Sequence, residues 1–426
     1  MRTPITAALL REPGRPLELA EVLLDEPAAH EVVVRTQRVG LCHSDLHYLN
    51  GALSMATPAV LGHEVAGVVQ TVGTAVTDVA PGDRVVATIT PSCGLCPACL
   101  RGRPTQCARV EQTRRRERPK LLTSQGDEIT VLGDLGGFAE AFLASERSLA
   151  KLPPGLDPAV ACLLGCCVST GVGAALHGAK ITAEDTVAVI GCGGVGIAAI
   201  QGARLAGARR IVAVDAAAGK LPIARRFGAS DAVLADPDPA TTLGRLREFL
   251  PSGFSHSIEA VGRAATAELA FDVLAPGGTA TILGLMPEGE RLSISADALV
   301  YGDRGLRGAH MGASRFLSDV EVYTDHYRAG RLDLDAMITP SCRSSGSTTA
   351  SHGCPPRPRS GSFSRSEEAC RPAGVRNWRP SRRARSANRR WSAPWQRKQW
   401  SRPRSAAPRS CRLSTCRSAS RTPERC

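Results

Sequence analysis

No run of roughly 18 or more apolar residues occurs in the 426-residue chain, so no membrane-spanning helix is expected. The N-terminus lacks the apolar stretch and small-residue cleavage site of a secretory signal, which makes the cytoplasm the default location. A reducing compartment removes disulfides as the use of the 15 cysteines, and the short spacings between several of them point to metal instead. The end of the chain is short of aliphatic residues. Between 341 and 426 the set Ile, Leu, Val, Phe and Met is represented by Phe363, Val375 and Leu413 alone. Such a segment cannot offset a chain entropy of about 1–2 kcal/mol per residue. A disordered, Arg/Ser/Pro-rich tail is therefore expected over 340–426.

That tail also carries the basic character of the chain. It holds 21 of the 53 Lys and Arg residues but 3 of the 40 Asp and Glu, leaving 32 basic and 37 acidic residues in 1–340. The formal charge of +13 is thus no argument for nucleic-acid binding by the body of the protein. A basic arm in which Trp391, Trp395 and Trp400 stack bases among Arg and Lys is the non-enzymatic alternative.

What is present in 1–340 changes character along its length. Up to about residue 150, short β-branched runs such as 31–35, 65–69 and 85–86 alternate with Gly, Pro and Asp turns, which predicts an all-β domain. From about 155, apolar runs at 186–190, 210–214, 232–234, 255–258 and 279–283 alternate with helical stretches, which predicts a parallel, doubly wound sheet. A helix over 316–330 suggests a return to the first domain. The expected division is 1–155, 156–298, 299–339 and the tail.

Three constellations carry chemistry. Cys93-x2-Cys96-x2-Cys99-x7-Cys107 can close a tetrahedron of thiolates round one Zn²⁺. With four protein ligands and no open position, that site is structural. Cys42 and His63 are candidates for a second zinc, one with an open coordination position. Its third ligand lies among Cys162, Cys166 and Cys167, which spacing does not separate. The third motif is Gly191-Cys-Gly193-Gly194-Val195-Gly196, which follows a predicted strand, opens a helix and precedes Asp215 at the end of the next strand. Its glycines allow backbone amides and the helix N-terminus to approach a pyrophosphate. Asp215 would accept the ribose hydroxyls and repel a 2′-phosphate, which favours NAD over NADP.

Taken together, 40–47, 62–69, the four-cysteine lobe, Gly165-Cys166 with Thr170-Gly171, and the glycine motif with Asp215 resemble the zinc-dependent medium-chain alcohol dehydrogenases over roughly 5–338. The resemblance implies a GroES-like catalytic domain, a Rossmann domain and a site between them. It implies Cys42, His63 and Cys166 as ligands of the catalytic zinc, the two-Cys, one-His set known for that family. It further implies Glu64 as a carboxylate near the metal, Asp45 as the acid that orients a ligand, and Ser44 and His47 as a proton relay. His43 falls where the cofactor phosphates are faced, Lys220 near the adenosine ribose, and Thr170 and Val195 beside the nicotinamide. A small alcohol or aldehyde is the implied substrate and a homo-oligomer the implied assembly.

Two departures qualify the resemblance. The charged stretch 114–130 is similar to inserts of the thiol-dependent formaldehyde-oxidising branch, where basic residues would meet an acidic thiol adduct; a solvated surface loop is the simpler reading. Beyond Thr339, the expected last helix and closing strand of the catalytic domain give way to the tail. A shift of reading frame in a GC-rich coding sequence would produce such a tail, and an inactive product is then an alternative. A zinc-free reductase of the same superfamily would lack both cysteine sets.

Overall fold

The computed structural model describes residues 2–114 and 116–338, with the backbone of Cys342–Arg343 and Thr349–Ser351 beyond them. The rest of 340–426, including the expected disorder and the tryptophans, lies outside the described residues.

The first domain is built from two sheets. Strands Thr3–Leu10, Glu18–Leu24, Leu121–Thr123, Glu128–Val131 and Ala59–Val60 close a small barrel. The second sheet runs in the order Leu149–Lys151, Arg84–Ala87, Glu64–Val72, Glu31–Gly40, with Ala141–Ser145 also paired to Glu31–Gly40. Alternating β-branched residues supply the inward faces, and Val32, Val34, Val65, Val85 and Phe142 meet in one core. Thr349–Ser351 runs parallel to the end of Glu31–Gly40, pairing at Val39 and Gly40.

The second domain is a six-stranded parallel sheet. Its order is Asp231–Leu234, Arg210–Asp215, Thr186–Ile190, Phe254–Glu259, Leu274–Ile282, Gly305–Gly308. The strand order reverses between Thr186–Ile190 and Phe254–Glu259, where doubly wound sheets open a ligand crevice. Thr186–Ile190 is buried along its whole length because helices cover both faces. Helix starts follow local chemistry: Asp157 and Asp238 each cap a helix whose first residue is proline, Pro158–Leu164 and Pro239–Phe249.

Two expectations need correction. The boundary at 299 is too early, because Gly305–Gly308 is the sixth strand of the parallel sheet. Only after it does the chain return, through helix Phe316–Arg328, where Arg328 donates to the Pro154 carbonyl (2.9 Å). Four residues, Gly-Leu-Arg-Gly, gave no strand pattern; the strand exists through its pairing with Leu274–Ile282. The stretch 114–130 is a solvated loop only in part: residues 117–118 and 124–128 are exposed, but it supplies two barrel strands, and among its described basic residues Arg116, Arg118 and Lys120 pair with acids of the same domain. Arg116 donates to Asp25 (2.9 Å) and lies 3.5 Å from Glu31; Arg118 is 3.2 Å from Asp25. Lys120, 4% exposed, reaches Asp134 Oδ1 (2.7 Å) and the carbonyls of Asp134 and Leu143. Burial pulls the Lys120 ammonium below its ordinary range, and Asp134 opposes that shift.

Removing one partner from such a buried pair leaves the other charge uncompensated. Lys120→Met is expected to destabilise the fold by about 3–5 kcal/mol. Arg118→Met, whose side chain is largely exposed, should cost about 1 kcal/mol or less. Denaturant midpoints of the two variants, compared at equal slope, check the difference.

Candidate active site

The metal-ligating candidates come from three separated segments. Cys42 precedes helix His43–Asn50 as its N-terminal flanking residue, His63 sits immediately before strand Glu64–Val72, and Cys166 precedes helix Cys167–Gly173. Their donor atoms nevertheless all lie within 4.8 Å of one another. The Cys42 and Cys166 sulfurs are 4.0 Å apart. Two sulfurs at about 2.3 Å from a tetrahedral Zn²⁺ stand about 3.8 Å apart, so the donor set fits that ion. The competing cysteines point elsewhere: Cys162 donates to the Ala159 carbonyl (3.3 Å) and Cys167 to that of Leu163 (3.6 Å).

Asp45 holds two of the three donors. Its Oδ2 accepts the amide of Cys42 (3.0 Å), and its Oδ1 accepts the amide of Gly62 (3.0 Å) and faces His63 Nδ1 at 3.3 Å. An Nδ1–H bound to the carboxylate leaves Nε2 as the free lone pair. Asp45 and His63 are both buried.

The electrostatics are those of a buried anion cluster. The Cys42 and Cys166 sulfurs stand within hydrogen-bonding reach of each other. Hydrogen bonding from Cys166 holds Cys42 well below the usual thiol range, and the same bond, with burial, holds Cys166 well above it. His63 is raised: burial opposes its charge, but the Asp45 carboxylate and the Cys42 sulfur outweigh that. Glu64 is pushed up to about 8 by burial and then by the charge on Cys42. Acids that resist ionising together are what a divalent cation relieves.

The remaining residues of this segment are more open. Ser44 Oγ lies 3.6 Å from the Cys42 sulfur. His47 packs edge-on to His43, ring centres 5.0 Å apart, and no hydrogen bond joins Ser44 to His47 among the described residues. Burial, then the neighbouring His43, lowers the pKa of His47. His43 itself is exposed.

The four-cysteine lobe is a second compact donor set, again with all sulfurs within 4.8 Å. Cys96 lies 3.5 Å from Cys99 and 3.9 Å from Cys107. Backbone amides of Leu95 and Cys96 point at Cys93 Sγ, and that of Arg109 at Cys107 Sγ. Such amides stabilise thiolate charge, and the amides of Cys99 and Ala108 bring Cys96 down to about 6. Leu95 and Leu100 are exposed, so the lobe buries neither of these apolar side chains. The sulfurs are the groups that converge in it.

In the glycine motif, Gly193 flanks the N-terminus of helix Gly194–Leu205. A Cβ on Gly196 would stand 1.7 Å from the Gly191 carbonyl, so only glycine permits this helix–strand approach. Helix Cys167–Gly173 lies directly on it at Gly171, where a Cβ would meet the Val195 carbonyl at 2.3 Å. Val195 thus lies against the residue that follows Thr170. Asp215 does something the sequence pattern did not reveal. Its Oδ2 accepts the amide of Cys192 (2.8 Å) and its Oδ1 that of Ala217 (2.8 Å), tying the glycine turn to the next strand. Lys220 stands 3.4 Å away and is exposed. A carboxylate has about four acceptor positions, so ribose hydroxyls can still be received. Met311 was also missed: Thr170 donates to its sulfur (3.6 Å) from a turn with positive φ. No sequence signal marks that contact, which spans 141 positions.

An Asp45→Asn substitution keeps the shape of the side chain but loses its charge and two acceptor positions. Affinity for one of two bound zinc ions is expected to fall about 10–100-fold, while the lobe ion is held as before. Competition with a chromogenic chelator, followed as two release steps, reads this directly.

Comparison with known proteins gives the same frame. Residues 28–154 match the family model described as the alcohol dehydrogenase GroES-like domain, and 194–324 that of the zinc-binding dehydrogenases. The chain is 35% identical over 341 residues to alcohol dehydrogenase class-3 of Myxine glutinosa, covering 79% of this chain and 90% of that one. It is 34% identical over 339 residues to an S-(hydroxymethyl)glutathione dehydrogenase of Escherichia coli, covering 78% and 92%. Among solved structures, benzyl alcohol dehydrogenase from Acinetobacter calcoaceticus superimposes with a TM-score of 0.72 at 25% identity, covering 79% of this chain and 92% of that one. The chain therefore belongs to the zinc-dependent medium-chain alcohol dehydrogenase family, as an alcohol oxidoreductase that works with zinc and NAD.

Proposed function

We propose that the cleft between the two domains oxidises a small, uncharged alcohol to its aldehyde or ketone, and reduces it in the reverse direction. The observation that carries this reading is the convergence of Cys42, His63 and Cys166 from distant segments. Zinc bound there would acidify an alcohol hydroxyl and polarise a carbonyl. The chain's own groups do the rest. Asp45 keeps His63 in the tautomer that presents Nε2. Ser44 Oγ, beside Cys42, takes the hydroxyl proton, and His47, one helical turn on, passes it to solvent. Its lowered pKa keeps His47 neutral and able to accept a proton near pH 7. The amides of the 193–196 turn, the exposed His43 and Asp215 with Lys220 bind and orient the dinucleotide. Asp215 selects NAD by repelling a 2′-phosphate.

The preference for an uncharged substrate rests on the basic residues at 116, 118 and 120. They pair with Asp25, Glu31 and Asp134, so they offer no charge to an acidic thiol adduct. Two groups of free thiols suit a reducing compartment, which supports the cytoplasm. No single helix among the described residues is long and apolar enough to cross a membrane. Exposed Val300 and Tyr301, next to the outermost sheet strand, support association into an oligomer.

The test is NAD reduction by zinc-loaded protein across a panel of aliphatic and aromatic alcohols, with formaldehyde plus glutathione as a further arm. Turnover of simple alcohols is expected; activity confined to the formaldehyde–thiol arm would sink the substrate proposal. Cys42→Ala is expected to lose turnover by about a thousandfold or more. Asp215→Ala should raise the KM for NAD about 10–100-fold, the worth of hydrogen bonds to a charged acceptor, with little change in kcat. Steady-state kinetics in both cofactors separates the two effects.

A further inference from the structure

A cavity of about 600 Å³ lies between the four-cysteine lobe and the outermost strand of the parallel sheet, and none of the metal-ligating or glycine-motif residues lines it. Five permanent cations do: Arg101 and Arg103 from the lobe, Lys180 from the end of segment Ala174–Ala179, Arg307 from strand Gly305–Gly308, and Arg315 ahead of the last helix. His177 and His310 join them, and among the described residues no Asp or Glu is present in the lining.

Their partners are unequal. Arg315 lies 3.6 Å from Asp319, whose other oxygen is 2.9 Å from His177 Nε2. Arg101, Arg103, Lys180 and Arg307 make no ion pair with any acid among the described residues, and all four are exposed. Residues 1–340 hold more acidic than basic side chains, so a cavity ringed by unpaired cations runs against the charge of the body. Cations gathered round a concave surface repel one another and focus a positive potential into it. Lys180 moreover adopts φ of 58°, a left-handed conformation that favours glycine or asparagine. The backbone thus places a cation where a small residue would be less strained.

We propose that this cavity binds a small polyanion bearing several phosphate or carboxylate groups, which links the zinc lobe to the nucleotide-binding sheet. Its volume is that of a small-molecule site rather than of an extended nucleic-acid track. The planar forks of Arg101, Arg103 and Arg307 each match one oxyanion through paired hydrogen bonds. Lys180 adds a point charge from the same domain as Arg307, facing the two lobe arginines. The turn His310–Ala313 gives His310 and Ala313 to this cavity and Met311 to Thr170 at the active site. One short segment therefore borders both.

The experiment is calorimetric titration of the full-length, zinc-loaded protein at saturating NAD, which fills the pyrophosphate site of the glycine motif. Inorganic pyrophosphate and tricarballylate are the probes, with zinc content measured before and after. Saturable one-to-one binding of pyrophosphate is expected, weakened by added salt. The double variant Arg101→Gln/Arg307→Gln should weaken it at least about tenfold, with alcohol turnover within about twofold of the parent. Equal binding of tricarballylate identifies a general polyanion site, and binding of pyrophosphate alone a phosphate site; both uphold the proposal. The absence of saturable binding by either probe overturns it, as does binding that the double variant leaves unchanged. Sedimentation provides the remaining arm: a parent that takes up no anion, with a variant that loses its self-association, would assign these arginines to a contact between copies of the chain instead.

Discussion

The Asp45 carboxylate draws residues from distant segments together into a candidate metal site. Its oxygens take up the amide that precedes helix His43–Asn50, the amide of Gly62 and one nitrogen of His63. A charged group this deeply buried is tolerable only when its acceptor positions are filled, and here the donors that fill them belong to the backbone and side chain of the metal-binding segments. Satisfying Asp45 and aligning Cys42 with His63 are therefore the same structural event. The third donor arrives independently, through helix Pro158–Leu164 packed across strands Glu31–Gly40 and Glu64–Val72.

Two thiolate-rich sets in one chain solve the problem of negative charge differently. In the lobe, near the surface, sulfur charge is met by backbone amides of the turn itself. In the cleft the groups are buried and pushed towards their neutral forms: Cys166 by its hydrogen bond with Cys42 and by burial, Cys167 by burial and the charge on Glu64, and Glu64 by burial and the charge on Cys42. Zinc in the lobe would substitute for a missing apolar core. Zinc in the cleft would instead relieve electrostatic crowding within a core that already exists. That contrast fits one ion that holds a loop together and one that is free to take a further ligand.

Much of this was legible from residue order. The cysteine spacing located the lobe, and the glycine motif with its flanking strands located the dinucleotide crevice, because both depend on contacts within about twenty residues. The strand predicted at 186–190 coincides with the observed one, that at 210–214 is one residue short at its end, and that at 255–258 is one residue short at each end. Choosing Cys166 over Cys162 and Cys167 required either resemblance or coordinates, since the choice depends on which face of a helix start turns towards Cys42, more than a hundred residues away. The burial of Lys120 and Arg116 was illegible for a related reason. A charged run reads as solvated until its acids, at 25, 31 and 134, are known to be adjacent in space. Gly305–Gly308 escaped notice because its strand character resides in its neighbour.

The position of Cys166 has a mechanical consequence. It lies in the segment that leaves the β-rich domain and enters the parallel sheet, one turn before Thr170 and Gly171. Gly171 in turn rests on the Val195 carbonyl, within the first turn of the helix that opens the glycine motif. A candidate metal ligand and the helix that opens the glycine motif are thus joined by a single helix, all seven of whose residues are buried. Interiors packed at crystalline density transmit displacement rather than absorb it. A shift of the two domains along this cleft must therefore either carry Cys166 with the nucleotide-binding helix, away from Cys42, or leave it beside Cys42 and strain the contact at Gly171. Cys166 is held from both sides: Gly171 rests against the Val195 carbonyl of the nucleotide domain, and Gly165 rests about as closely against the Ala87 carbonyl of the β-rich domain, so two glycine-lined contacts flanking one residue set the spacing between the cysteine–histidine cluster and the glycine motif.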